Sequence, residues 1–294
     1  MKIKKVAVIG GTHGNEVTGT YLLRRWAEKP GEILRSSFET KTLWANPKAF
    51  RENKRYIDAD LNRSFSLAEL GDETIDTYEG NRAKVINSFL GPKGKRPAFD
   101  FAFDIHTSTS NMGATLILVG SDRYQLRMAA FIKAHMDNVN LYYFEGRAED
   151  YPNLSTVVPR RLGLEIGPIP QGLLRHDIFE QANTVLQLGL DYIDKVNRGE
   201  RLKLDKQVEV YVHRSVVEYP TDSDGNITAL VHKNLQDNDF AELKRGDPMF
   251  MRLTGETICY DKRKLVYPAF INEAAYYPLR IAFMLTEKQK MATK

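Results

Sequence analysis

A histidine and a glutamate stand three positions apart in Gly10-Gly11-Thr12-His13-Gly14-Asn15-Glu16. An imidazole and a carboxylate are two of the three ligands in the His₂Glu type of catalytic zinc site. On the first turn of a helix that spacing makes His13 and Glu16 neighbours that converge on one point. The glycines let backbone approach the point with no Cβ in the way. Two ligands are not a site, and the same string also reads as a Gly-rich turn opening a polar helix. It has neither the G-x-G-x-x-G spacing nor the Gly-Lys-Ser/Thr of a nucleotide loop. A third ligand is required, and in an α/β protein it belongs at the end of another strand.

His106 meets that requirement. From Phe99 to His106 the pattern alternates, with Phe99, Phe101, Phe103 and Ile105 on one face and Asp100, Ala102, Asp104 and His106 on the other. Asp104 and His106 therefore share a face at the carboxyl end of a strand, followed at once by Thr107-Ser108-Thr109-Ser110-Asn111. Asp104 is placed either to accept a ring N–H from a ligand histidine, fixing its tautomer, or to make a plain sheet-edge hydrogen bond. A second carboxylate, Glu165, lies inside the apolar run Leu162-Gly163-Leu164-Glu165-Ile166-Gly167-Pro168. Burying an unpaired charge is expensive, so Glu165 is either paired structurally or poised as a general base with a raised pKa. Arg55-Tyr56-Ile57-Asp58-Ala59-Asp60-Leu61-Asn62-Arg63-Ser64-Phe65 has no clean period and is dense in polar groups. It reads as a solvated loop, or as one whose arginines and asparagine grip a carboxylate or a developing oxyanion.

The elements that must position these groups follow from periodicity and punctuation. Val6–Ile9 reads as a buried strand, Val17–Lys29 as an amphipathic helix closed by Pro30, and Thr42–Ala45 as a strand. This order predicts a parallel α/β sheet. Helices are predicted at Thr77–Leu90, Arg123–His135 and Arg175–Asn197, with a strand at Ala114–Val119 and an irregular polar segment at Gly146–Arg161. Beyond residue 200 the texture changes. Val208–Val212, Ile227–Val231, Met249–Leu253 and Leu265–Phe270 are short strand candidates between turns such as Asp224-Gly225.

The 294 residues allow one large domain or two ordinary ones, and a 42% hydrophobic content supports a full core. The net charge of +4 is spread through the chain without a long basic run, so nucleic acid is not expected as a partner. The single cysteine, Cys259, rules out an internal disulfide framework and fits a reducing compartment. The apolar run after the basic N-terminus breaks at Gly10, too soon for a signal peptide, and no run is long enough to cross a bilayer. A soluble, cytoplasmic protein without a membrane partner is expected.

With Gly10–Glu16, Arg55–Phe65, Asp104–His106 and Gly163–Pro168 together, the chain resembles the aspartoacylase branch of the zinc carboxypeptidase-like hydrolases. The likeness extends to Thr109–Gly113, Pro168–Gly172, Asn234–Asp237, Gly246–Phe250 and Asn272–Tyr277. It implies a zinc carboxypeptidase-like mixed α/β sheet flanked by helices, with a catalytic domain over residues 1–199. A smaller β-rich domain over 200–294 would narrow the channel to the metal. The resemblance further implies that His13, Glu16 and His106 bind one Zn²⁺ per subunit and leave a position for water. Glu165 would be the general base, and Arg55 would polarise the acyl carbonyl and hold the oxyanion. Asn62, Arg63 and Tyr276 would grip the amino acid's carboxylate. The implied reaction is hydrolysis of an N-acyl-L-aspartate of the N-acetyl-L-aspartate type, in a homo-oligomer; the alternative is an N-acyl aromatic amino acid on the same machinery. An inactive metal-binding protein and a nucleotide-dependent enzyme are the rival classes.

There is one departure from the family pattern. A Tyr and, four residues later, an Arg are expected shortly before the catalytic Glu, to hold the substrate's side-chain carboxylate. Counted back from Glu165 these fall on Tyr151 and Ser155, leaving Arg160, Arg161 or Arg280 as candidates for the missing cation.

Overall fold

The computed structural model describes residues 2–120 and 122–293. β1 (Lys5–Gly10) leads through the Gly-rich turn into α1 (Val17–Glu28), then β2 (Glu39–Trp44) and the short α2 (Pro47–Arg51). After the Arg55–Phe65 loop come α3 (Leu67–Gly71), α4 (Tyr78–Leu90), β3 (Phe101–Thr107), β4 (Gly113–Val119), α5 (Arg123–His135) and β5 (Val139–Phe144). β6 (Arg160–Gly167) and α6 (His176–Asn197) complete the segment before residue 200. Side-chain caps set several starts: Thr77 accepts from Gly80 N to open α4, and Asp122 with Gln125 forms a capping box on α5.

The main sheet has nine strands in the order β11-β12-β7-β5-β4-β6-β3-β1-β2. It is mixed. β1 is parallel to β2 and β3, and β3 to β6, whereas β4 runs antiparallel to β6. β7 (Gln207–Glu218), β11 (Tyr267–Ala269) and β12 (Ile281–Ala292) extend this same sheet rather than building one of their own. β8 (Ala229–Val231), β9 (Pro248–Arg252) and β10 (Thr257–Cys259) form a separate antiparallel sheet of three strands. The seam where the C-terminal strands join is narrow: β5 meets β7 only at Tyr142↔Tyr211 and Tyr143↔Val212.

The two faces of the sheet have different covers. Leu22 and Trp26 of α1, Leu126 and Ile132 of α5 and Leu186 and Ile193 of α6 pack on Val6, Val8, Phe101, Phe103, Ile105, Leu116 and Leu164. Each large side chain removed from water there contributes roughly 1.5–3 kcal/mol. On the opposite face Ile86 and Leu90 of α4, with Leu61, Phe65 and Leu154, cover Ala7, Ile9 and Ala102. At the carboxyl ends of β3 and β6, Asp104, His106 and Glu165 line a small pocket.

Three strands, β5, β10 and β12, were not anticipated by periodicity. β12 runs twelve residues, but its outer half, Glu287-Lys288-Gln289-Lys290, lies mostly at the solvent-facing end of the arm it forms with β7, so no apolar alternation marks it. Phe99 also departs from expectation. The strand begins at Phe101, and Phe99 packs with the α4 side of the sheet, its ring 5.2 Å from that of Phe89. No helix among the described residues is long and apolar enough to cross a membrane.

Candidate functional site: a buried His-Glu-His centre beside Glu165

The turn after β1 is built by close approach. Gly11 adopts φ +68°, and a Cβ at Gly14 would lie 2.1 Å from the carbonyl carbon of Ala49, so no side chain fits there. Gly14 N donates to Arg55 O at 3.1 Å, which ties the His13 turn to the arginine-bearing loop. Glu16 is the residue before α1 rather than a member of its first turn, with a non-helical backbone at φ −95° and ψ 72°.

His13, Glu16 and His106 are all buried, and one ligand atom from each lies within 4.8 Å of the others. Glu16 bridges the pair. Its Oε1 is 2.6 Å from His13 Nδ1 and its Oε2 is 2.9 Å from His106 Nδ1, with Thr107 N donating to Oε2 at 3.2 Å. The other nitrogen of each ring has its own carboxylate: Asp60 Oδ1 is 3.0 Å from His13 Nε2, and Asp104 Oδ2 is 3.2 Å from His106 Nε2. Asp104 is itself held by Thr12 Oγ1 at 2.8 Å. Carboxylates behind the imidazoles fix the tautomers that present both Nδ1 atoms to one point. Burial opposes charge on either group, yet Asp104 and Glu16 hold His106 well above the ordinary imidazole range. Likewise, despite burial, His13 and His106 hold Glu16 well below the carboxylate range. The field at this point favours positive charge, and the donor set fits a divalent cation.

Arg55 flanks the centre. Its Nη1 donates to Glu16 Oε1 at 3.0 Å and its Nη2 to Asp60 Oδ2 at 3.1 Å. Burial weighs against its charge, but Glu16 and Asp60 keep the guanidinium firmly ionised. The loop that carries it is pinned from below by the fully buried Glu79 of α4. That carboxylate accepts from Ile57 N (2.7 Å), Asp58 N (2.9 Å), Ala59 N (3.2 Å) and Asn46 Nδ2 (3.0 Å).

Glu165 stands beside His106 on the neighbouring strand, the two being direct register partners. Burial pushes its carboxyl up to about 8, against the pull of His106 and with Glu16 and Glu273 adding to the rise. It lines a pocket of about 110 Å³ together with His13, His106, Arg55, Asn62, Arg63 and Tyr276. The far wall is apolar, formed by Ile117, Val119, Phe144 and Phe270. Arg55, Arg63 and Tyr276 also line a larger neighbouring cavity of about 650 Å³, so they stand between the two. Burial, with Glu165 nearby, holds the Tyr276 phenol above its usual range, leaving it a donor at neutral pH. Asn62 lines the pocket and also braces it, because its Oδ1 accepts from Leu154 N at 2.9 Å.

Tyr276 reaches the pocket on a short turn anchored by Glu273. The buried Glu273 carboxylate accepts from Ser108 Oγ, from Thr109 N at 2.8 Å and from Ser110 N at 3.3 Å, all on the loop that follows His106.

None of the three arginines proposed for the missing cation lines the pocket. Arg160 pairs with Asp122 at 2.7 Å and stacks over Tyr124. Arg161 is buried beneath the turn Leu154–Val157, and Arg280 has its guanidinium against Gly225. The Tyr151 hydroxyl donates to Glu145 O, and Ser155 does line the pocket. That wall thus carries a hydroxyl where a cation was expected.

Asp60, Glu79 and Glu273 were missed by sequence reasoning. Each is one acidic residue among several polar neighbours, and its partners come from remote parts of the chain. The usable signal was the density of carboxylates next to the arginines in Arg55–Phe65.

Comparison with known proteins places the chain in a family. The model of the succinylglutamate desuccinylase/aspartoacylase catalytic domain matches residues 2–193, and that of the family's barrel-sandwich hybrid domain matches residues 206–288. An aspartoacylase from Danio rerio is 43% identical, the match covering 98% of this chain and 93% of the relative. An N-acyl-aromatic-L-amino acid amidohydrolase (carboxylate-forming) from Rattus norvegicus is 41% identical over 98% of this chain and 92% of its own length. The crystal structure of murine aminoacylase 3 superposes with a TM-score of 0.95 at 38% identity, covering 100% of this chain and 98% of that one. The buried His-Glu-His centre and its flanking carboxylates therefore sit in a member of the succinylglutamate desuccinylase/aspartoacylase family.

Proposed function

We propose that this chain hydrolyses N-acyl-L-amino acids at a zinc centre held by His13, Glu16 and His106, with Glu165 as general base. The chain is a hydrolase of amide bonds in N-acyl amino acids. The observation that carries the assignment of roles is the convergence of three ligand atoms within 4.8 Å beside a carboxyl raised to about 8. Zinc, when bound, supplies Lewis-acid polarisation and makes hydroxide available at neutral pH. Glu165 takes the proton of the attacking water as the oxygen–carbon bond forms. It then delivers that proton to the amide nitrogen as the carbon–nitrogen bond breaks, releasing a carboxylate and a free amino acid. A base poised near neutrality suits both transfers. Arg55 meets the negative charge that develops on the acyl oxygen; loss of one such donor typically costs about 10²–10³ in rate. Asn62, Arg63 and Tyr276 are assigned to the amino acid's carboxylate.

Two amino-acid classes are in play. N-acyl-L-aspartate follows from the relatives named aspartoacylase, with Arg63 in the pocket lining as a cation beside Arg55. An N-acyl aromatic amino acid is favoured by the apolar wall of Ile117, Val119, Phe144 and Phe270 and by Ser155. A cytoplasmic homo-oligomer completes the reading, in keeping with the family resemblance and with one free, exposed cysteine. Kinetics on a panel of N-acetyl-amino acids, with metal analysis of the same preparation, tests it. Turnover of none of them by zinc-loaded protein removes the proposal.

A further inference from the structure

The basic stretch Lys93-Gly94-Lys95-Arg96-Pro97 connects α4 to β3. Lys95 and Arg96 are exposed, as a solvated connection requires, but Lys93 is only 4% exposed. Its backbone N donates to Asn87 Oδ1 at 2.9 Å. Its Nζ donates to Tyr151 O at 2.6 Å, Phe65 O at 2.8 Å and Thr156 Oγ1 at 2.8 Å. An ammonium has three donors, so all are used, and all three acceptors are neutral. Burial, and then the neighbouring Arg161, push this ammonium down to about 8. An apolar side chain of similar shape would avoid that desolvation. What the ammonium supplies instead is direction: one atom draws in acceptors from two separate segments.

Both segments build the reaction pocket. Phe65 ends the loop that carries Arg55, Asn62 and Arg63, while Tyr151 and Thr156 bracket Asn153 and Ser155. Thr156 Oγ1 passes the link on, donating to Asn153 O at 2.5 Å. Two backbone amides also bridge the segments: Phe65 N donates to Pro152 O at 3.1 Å and Leu154 N to Asn62 Oδ1 at 2.9 Å. Lys93 belongs to neither segment and is absent from the pocket lining.

We propose that Lys93 is a positioning residue for the substrate, its ammonium fixing the Arg55–Phe65 loop against the segment that carries Asn153 and Ser155. It sets the spacing of the pocket lining without touching what binds there. The role toward substrate rests on the function proposed above; the brace itself does not.

Lys93→Met keeps much of the side chain's length and removes the three donors. In the zinc-loaded chain, KM for N-acetyl-amino acids should rise about tenfold or more, while kcat changes less than about threefold. A variant that was merely less stable would lose active molecules, lowering apparent kcat and leaving KM where it was. Amide hydrogen exchange reads the brace without turnover. The Phe65 and Leu154 amides should exchange at least about tenfold faster, and the Thr107 amide, bonded to Glu16, at the parental rate. Unchanged KM, whatever kcat does, or unchanged exchange at both bridging amides overturns the inference. A parent chain that turns over no N-acyl-amino acid sinks the proposed function; faster exchange in that case leaves Lys93 a structural brace and overturns its role toward substrate. Should Lys93→Met fail to fold, Thr156→Val takes its place: a raised KM supports the inference, and an unchanged KM overturns it.

Discussion

Asp60 Oδ1 lies 3.0 Å from Nε2 of His13, 47 positions earlier in the chain. The same carboxylate holds Arg55 through Oδ2. One side chain thus holds both His13, assigned above to the metal, and Arg55, assigned to the developing charge. Asp60→Asn should lower zinc affinity about 10–100-fold, read by competition with a chelator, and reduce kcat as well. Asp104→Asn, which touches His106 but not Arg55, should weaken the metal with a smaller effect on kcat at saturating zinc.

Removal of the proton-handling group should separate binding from turnover. Glu165→Gln is expected to keep zinc and lose turnover, whereas His13→Ala loses both. Full activity in Glu165→Gln would remove the base assignment.

Glu165 also carries a stability signature. Its folded-state pKa is raised from 4.5 to about 8, so the native state holds the proton more tightly than the unfolded chain does. The stabilising contribution is complete below about 4.5 and is lost as pH rises to about 8. In metal-free protein Glu165→Gln should therefore be more stable than the parent at pH 8, by up to about 4 kcal/mol, with the gain vanishing near pH 4. Denaturant midpoints at the two pH values check the sign.

Specificity should turn on the hydroxyl at 155. Ser155→Arg places a cation in the lining of a pocket that also holds Phe144 and Val119. The ratio of kcat/KM for N-acetyl-aspartate over an N-acetyl aromatic amino acid is expected to rise at least about tenfold. A ratio that stays put would show that this wall does not meet the side chain.

Glu273 links the loop after His106 to the turn carrying Tyr276. Glu273→Ala strips acceptors from several buried donors and should cost about 1.5–3 kcal/mol of stability. With Tyr276 released, KM should rise more than kcat falls; the reverse split would assign Glu273 to the chemical step.

The clustering of His13, Glu16 and His106 was legible because its signals are local. His13 and Glu16 are three apart in one turn, and strand alternation put His106 and Asp104 on one face. Glu165 stood out as a charge inside an apolar strand. Asp60, Glu79 and Glu273 did not, because their meaning lies in partners supplied by distant segments. Alignment counting could place Ser155 but not the arginines: whether a guanidinium near the site faces it depends on strand pairing and packing, as Arg160 and Arg161 show.

The sheet that runs unbroken from β2 to β11 has a consequence for module exchange. A C-terminal half transplanted from a relative must reproduce the two-residue junction between β5 and β7. If that stitch is lost, Tyr276 is delivered to the wrong place even though every residue of the metal centre is intact. Chimaeras cut near residue 200 should therefore succeed or fail on Tyr142, Tyr143, Tyr211 and Val212, none of which lines the pocket.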